Sequence, residues 1–300
     1  VHLALETQGS PASLTFSEEV MVKWVRREIR SLVESDREKF LQALSLLYTL
    51  DMSEGQQRYG PNYRDIHYMV RNHLKGAAAR DCDHWHDGAG IMTHHMGFTL
   101  EMEQALQSVE PSVAMPYWEY TLDSYLYGAN WSTSSPVFDP EWFGAANPSH
   151  AEHIVNEGRW ADSGRMTNAG NDSDITNAWG LLRSPWNTNP TPYLTRSSLV
   201  LQGQDYTEFP GCSMFYFAFL STSLAQLQNY LNGGTHGPVH IMIGGQWANN
   251  WAPTLQKYLS PRMGDVLLLS KWLWRSGYIQ CPTDCTSNPE DTPGASCICS

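Results

Sequence analysis

Between Ser17 and Val33 the apolar residues fall at Val20, Trp24, Val25, Ile29, Leu32 and Val33, the three-and-four spacing of a helix with one oily face. The run Ser35-Asp36-Arg37-Glu38 then reads as a capping box. In it the serine oxygen accepts from the Glu38 amide while the Glu38 side chain returns to the Ser35 amide, which predicts a second helix through Leu50. Further helices are predicted from Tyr63 to about Lys75 and from His94 to Leu106. From Pro116 to Ser198 the period is lost among Pro, Gly, Asn, Ser and Asp with scattered Trp and Phe, which predicts long ordered loops pinned by aromatic rings. Loops of that length are usually functional walls or linkers. Helical spacing returns from Met214 to Leu231. Gly233-Gly234 is expected to end that helix, and Thr235 to cap the next one with Pro238 in its first turn. His236 and His240, four apart, then share one helical face. A last helix is expected from about Asp265 to Trp274, with no internal repeat along the chain.

Composition adds limits. The 300 residues include 12 Trp, 14 Tyr and 9 Phe with only 17% charged residues, which calls for a folded interior rather than disorder. The net charge of -12 excludes nucleic acid as a partner, because that affinity rests on basic residues neutralising phosphates. No apolar run reaches the roughly 18 residues that would cross a bilayer, so no membrane insertion is expected. The chain opens on Val1 and is read as a processed mature chain. Four of the six cysteines, Cys281, Cys285, Cys297 and Cys299, crowd the last twenty residues, and Asn130-Trp131-Ser132 and Asn171-Asp172-Ser173 are glycosylation sequons. Both features predict an extracellular, disulfide-bonded glycoprotein. The expected organisation is one domain over residues 1–279 and a cysteine-rich tail over 280–300. The tail is either a local staple or, since Cys297-Ile298-Cys299 resembles the C-x-C near the end of epidermal-growth-factor-like modules, the start of such a module.

The histidines are unevenly placed. His84, His86, His94 and His95 form one group and His236 and His240 another. Imidazoles four apart on a helix can share an ion, and imidazole suits Cu, Zn, Fe and Ni, although one such pair is weak as a signal. The surroundings sharpen it. His86 and His95 are separated by eight residues, Glu103 lies eight positions beyond His95, and Ala114-Met115-Pro116-Tyr117-Trp118-Glu119 comes next. In this register, in the opening stretch 25–44 and in "THGPVHIMIGG" at 235–245, the sequence resembles the tyrosinase and hemocyanin family of binuclear (type 3) copper proteins.

That resemblance, spanning about residues 20–275, implies a mainly α fold. It would be a four-helix bundle presenting three histidines to each of two coppers, wrapped by long loops. Carried over, the first copper takes His86 and His95, with His67 from the preceding helix as third ligand and His73 as the alternative. The second takes His236 and His240. Its third ligand should come from a D-P-x-F-x-x-H-H segment, matched here by Gly264 to Gly277. The two His positions of that segment are occupied by Lys271 and Trp272, and no histidine lies beyond His240. Lys271 is expected either to point inward, where its cation opposes a metal charge, or to reach the surface along its apolar stem. Cys82-x-His84 is similar to a Cys-x-His pair that forms a thioether in some members; the plainer expectation for Cys82 is a disulfide, with Cys212 as candidate partner. Gly237 replaces a frequent Asn and Gln226 and Gln228 stand in place of Glu, which removes the base that a monophenol would need.

In the type 3 centre that the resemblance implies, oxygen is reduced by two electrons shared between two cuprous ions that give one each, so a single ion leaves that step without its second donor. The expected function is therefore a secreted copper-binding domain with one sound site, serving a structural or assembly role with other extracellular proteins or with itself. The alternative is a phenol or catechol oxidase, taking phenolic small molecules, in which Met242, Met263 or a carboxylate completes the second site. Zinc in place of copper is a further alternative.

Overall fold

The computed structural model describes residues 23–88, 90–144, 158–160, 207–245 and 271–280, together with the backbone of four short strands. The strands pair as two antiparallel ribbons, β1 (His2–Leu5) with β2 (Leu14–Ser17) and β3 (Leu199–Leu201) with β4 (Gln204–Asp205). The rest is mainly helical: α1 (Glu34–Thr49), α2 (Met52–Tyr59), α3 (Ile66–Ala77), α4 (Gly90–Val109), α5 (Tyr120–Tyr127), α6 (Trp131–Ser134), α7 (Cys212–Phe219), α8 (Leu224–Asn229) and α9 (Gly237–His240). A further helical stretch covers 271–275. None of the described helices is long and apolar enough to cross a membrane. The sequon at Asn171 and the tail cysteines lie outside the described residues.

The core is built where the apolar stripes of α1, α3 and α4 meet. Phe40, Leu41, Leu44 and Leu47 of α1 recur at helical spacing and are buried with Ile66 and Met69 of α3 and Ala105 and Leu106 of α4, so each amphipathic face finds its partner. Val239, Ile241 and Met242 close the same cluster. Tyr63 is fully buried at the junction of α1 and α2, and its hydroxyl donates to the Leu46 and Leu50 carbonyls at 3.0 and 2.8 Å. The Leu46 carbonyl also takes the Leu50 amide at 3.0 Å, whereas the Leu50 carbonyl is an acceptor of the kind that a helix C-terminus leaves behind. A Cβ on Gly55 would stand 1.9 Å from the Tyr63 ring, which is why α2 carries glycine at that contact.

Residues 23–33 depart from the predicted helix. They run extended and then make one 3-10 turn, Ile29–Ser31. The backbone pairs with the motif segment, the Tyr117 amide donating to the Arg27 carbonyl and the Ile29 amide to the Tyr117 carbonyl, both at 3.0 Å. Distant carboxylates win over local periodicity here: Arg26 pairs with Glu103 at 2.7 Å and Arg30 with the buried Asp123 at 3.0 Å. The capping box at Ser35 is also absent. Helix α1 begins two residues earlier, with Val33 at the cap position and no side-chain cap, and Glu38 accepts instead from Arg159 at 2.6 Å and Gln42 at 2.9 Å.

The predicted helix from Met214 to Leu231 is broken in two. Ser223 starts α8 as its N-cap, accepting from the Gln226 amide at 3.2 Å, while the Gln226 side chain accepts from the Thr222 amide at 3.1 Å. Gly233-Gly234 does not end the helix. The chain widens into a π-helical stretch, Tyr230–His236, and continues as α9 with Pro238 in its first turn. Thr235 does not cap α9; its hydroxyl donates back to the Leu231 carbonyl at 2.9 Å. Replacing Tyr63 by Phe should strip the Leu50 carbonyl at the end of α1 of its hydroxyl donor and cost about 1–3 kcal/mol, read as a lowered urea midpoint with an unchanged slope.

Candidate metal centre

Three elements converge on one trio of imidazoles. His73 lies late in α3, His95 lies in the second turn of α4, and His86 sits in the loop between them. His73, His86 and His95 each offer a ligand atom, and those atoms lie within 4.8 Å of one another. The Nε2 atoms of His73 and His86 are 3.3 Å apart. Metal–imidazole bonds of about 2.0–2.1 Å around a tetrahedral ion set neighbouring nitrogens roughly 3.3 Å apart, so the donor set fits a single ion.

The other ring nitrogen of two members is already engaged. His95 Nδ1 donates to the Ile91 carbonyl at 2.7 Å, one helical turn back, and His86 Nδ1 donates to Asp83 Oδ2 at 2.8 Å. Each bond fixes the tautomer that leaves Nε2 with a free lone pair. Asp83 is itself buried, and its Oδ1 accepts from the Trp85 and His86 amides, both at 3.0 Å. Its Oδ2 also accepts from the Lys271 ammonium. Trp85 packs against His73 and His95 with ring centroids 5.3 and 5.6 Å away, and a Cβ on Gly76 would stand 2.3 Å from the indole nitrogen.

His67, the expected third ligand, is not in this group; His73 is. The two share α3 but lie six residues apart, roughly 9 Å along the axis and about 240° around it. Asp65 fixes the phase by capping the helix through the Tyr68 amide at 2.7 Å. His84 lies outside too, exposed beside Asp81 at 3.2 Å and the Cys82 sulfur at 3.2 Å. Cys82 and Cys212 are both free thiols, so the expected bond between them is not formed; the Cys82 sulfur faces the His84 ring instead. His94 turns away from the trio against Trp85.

The second pair has a different geometry. His236 closes the π-helical stretch and His240 closes α9, and their Nε2 atoms are only 2.6 Å apart. That is shorter than the spacing around one tetrahedral ion; it is a hydrogen bond in which one ring donates to the other. The pair nevertheless sits beside the trio, with the His95 and His236 rings 6.4 Å apart. Two bonds hold it there, from the Tyr120 hydroxyl to the Thr235 carbonyl at 2.7 Å and from the Asn232 amide nitrogen to the His86 carbonyl at 3.2 Å. Met242 is fully buried in the apolar core; Met263 lies outside the described residues.

Lys271 is the residue for which the sequence allows two places. It points inward, but its ammonium is bonded to Asp83, behind the trio, with its side chain 14% exposed. The neighbouring Arg275 pairs with Asp87 at 2.7 Å. Trp274, buried between them, donates to the Ala78 carbonyl at 2.8 Å and carries the Arg80 guanidinium over its ring at 3.9 Å.

Gathering imidazoles in a crowded interior keeps them neutral. Burial first, and then the charge of neighbouring rings, pushes His73 and His236 down to about 4; crowding by neighbouring groups and rings moves His240 the same way although it is more open to solvent, and burial also lowers His95. Burial would raise Asp83, but the hydrogen bonds from His86 and Lys271 outweigh it and hold the carboxyl well below its usual range. For a histidine lowered by folding, the unfolded chain takes the proton first. Between the ordinary value near 6.5 and about 4 the unfolded state binds more protons, so stability falls as pH falls through that window. Urea unfolding of the protein in chelator should therefore show midpoints dropping from pH 7 to pH 4, and His236→Gln should flatten that slope.

The comparisons agree with this geometry. Residues 60–254 match the family described as the common central domain of tyrosinase. Tyrosinase of Streptomyces antibioticus is 28% identical over 176 residues, 56% of each chain. Tyrosinase of Streptomyces galbus is 27% identical over 208 residues, 66% of this chain and 67% of that one. Tyrosinase-like protein 2 of Margaritifera margaritifera is 25% identical over 237 residues, 74% of this chain and 44% of the relative. The alignments thus span from under half to about two-thirds of these relatives' lengths. With more than half of its 300 residues inside the family match and two groups of histidines side by side in a helical core, the chain belongs to the tyrosinase family, whose members bind copper.

Proposed function

We propose that this chain is a secreted copper-binding domain that holds one metal ion well and serves a structural or assembly role rather than full oxidase chemistry. The observation that carries this reading is the contrast between the two histidine groups. His73, His86 and His95 stand at ligand spacing with His86 and His95 fixed as Nε2 donors, while His236 and His240 bond to each other. Lys271, at the place where a third ligand for the second ion is expected, is committed to Asp83. When bound to the trio, copper supplies a redox-active Lewis acid. The protein's own part is to keep three rings neutral, orient their lone pairs and wall one side with Trp85. A single centre lacks the second electron donor for two-electron oxygen chemistry. Secretion and partnership with other extracellular proteins, or with further copies of the chain, rest on the cysteine-rich tail and the sequons.

One observation favours the oxidase as a second reading. The His95 and His236 rings are 6.4 Å apart, close enough for ions spaced about 3.5–4 Å, as in two-metal sites. Such an oxidase would act on catechols rather than monophenols, because Gly237, Gln226 and Gln228 provide no base.

Titration of the metal-free protein with copper should saturate at one ion per chain, without oxygen uptake on addition of a catechol. His73→Ala should weaken binding by more than the roughly 10–100-fold that loss of a supporting residue costs, whereas His67→Ala should leave it unchanged. Two tightly held coppers with catechol-dependent oxygen uptake would establish the oxidase instead.

A further inference from the structure

Lys271 has a partner that neither metal site requires of it. The helical stretch 271–275 lies 188 residues from the Asp83 loop in sequence, yet it delivers two cations to two of that loop's three carboxylates, Lys271 to Asp83 and Arg275 to Asp87. Trp274 locks the arrangement through the Ala78 carbonyl and the Arg80 guanidinium. Asp83 is the more confined of the two acids, with its side chain 0% exposed against 49% for Asp87. Its Oδ1 is used by the backbone of residues 85 and 86; its Oδ2 is shared between the Lys271 ammonium and His86 Nδ1.

We infer that Lys271 is a positioning residue for the metal trio: by pinning Oδ2 of Asp83 it holds that oxygen against His86 Nδ1 and so keeps His86 in the tautomer whose Nε2 faces His73. The inference rests on the reading that His73, His86 and His95 hold the metal. Its physical basis is local. A carboxylate with one oxygen fixed by two amides can keep the other on an imidazole only if something prevents the side chain from swinging. In a site closed to water a cation bonded to the same oxygen does that. A ring free to turn, or to place its proton on Nε2, cannot present that lone pair to an ion. The last described helix thus supports the first site from behind instead of contributing a donor to the second. Lys271→His therefore cannot add a second ion without loosening the first, because the same position serves the Asp83 clamp.

The test reads the tautomer directly. In metal-free wild-type protein labelled with 15N-histidine, long-range nitrogen–proton correlation should show His86 protonated at Nδ1, the assignment being made with His86→Gln. Lys271→Met, which keeps the aliphatic stem, should give a mixed or Nε2-protonated ring and a copper or zinc affinity lowered about 10–100-fold. Lys271→Arg should restore both. A wild-type His86 protonated at Nε2, or a Lys271→Met protein with the wild-type tautomer and affinity, overturns the inference. The wild-type spectrum needs neither a Lys271 variant nor a metal, so an Nε2-protonated His86 overturns the inference even if Lys271→Met fails to fold; in that case Lys271→Gln, read in the same way, takes its place. The spectrum also separates the outcomes: an Nδ1-protonated His86 that Lys271→Met disturbs, in a protein that takes up no metal, would sink the proposed function and leave the clamp standing.

Discussion

A carboxylate taken out of water must find its donors inside the protein, and in this chain three of them decide where the irregular segments go. Glu103 takes Arg26 and the Met115 amide. Asp123 takes Arg30 and the Trp118 indole. Asp83 takes two amides, His86 and Lys271. Each joins a helix or a tight loop to chain that is remote in sequence, and each does so where removing one partner would strand a buried charge. The segment from Ala114 to Glu119 is conspicuous because it closes several of these connections, through the Met115 amide, the Tyr117 backbone and the Trp118 indole. The bundle supplies the apolar area, but the buried acids fix which loop meets which helix.

The same logic runs from this frame to the histidines. Tyr120 comes directly after the motif, and its hydroxyl reaches the Thr235 carbonyl at the end of the π-helical stretch. Widening the helix there shifts the phase of α9 and of His240 with it, which is how such turns come to carry functional side chains. From the other side Asn232 holds the backbone of His86. The two histidine groups are thus mechanically coupled, through one tyrosine to the motif and one asparagine to the trio.

How much of this can be read from the sequence depends on the range of the cause. The spacing of His86, His95, Glu103 and the Ala114–Glu119 segment is local, and it points to the family and the helical class. Local phase alone cannot choose between His67 and His73. Both sit on α3, and the choice depends on which face packs toward α4, a matter settled by Asp65 and the core residues Ile66 and Met69. The stretch 23–33 misleads for a like reason. Its apolar residues do fit a helix, but Arg26 and Arg30 are drawn to acids 77 and 93 residues away. The break before α8 does leave a local mark, since Ser223 and Gln226 make a Ser-x-x-Gln capping signature inside an apolar run.

The second histidine pair raises a different point: what keeps it together in the absence of an ion. The 2.6 Å contact between His236 and His240 gives each ring a hydrogen-bond partner at once. Replacing either one alone would leave the other without that hydrogen bond. The pair is therefore kept together by its own chemistry whether or not it shares an ion. An H-x3-H pattern by itself therefore does not identify a metal site, and the informative residues are those around it: Asp83 and Lys271 behind the trio, and Tyr120 and Asn232 between the two groups.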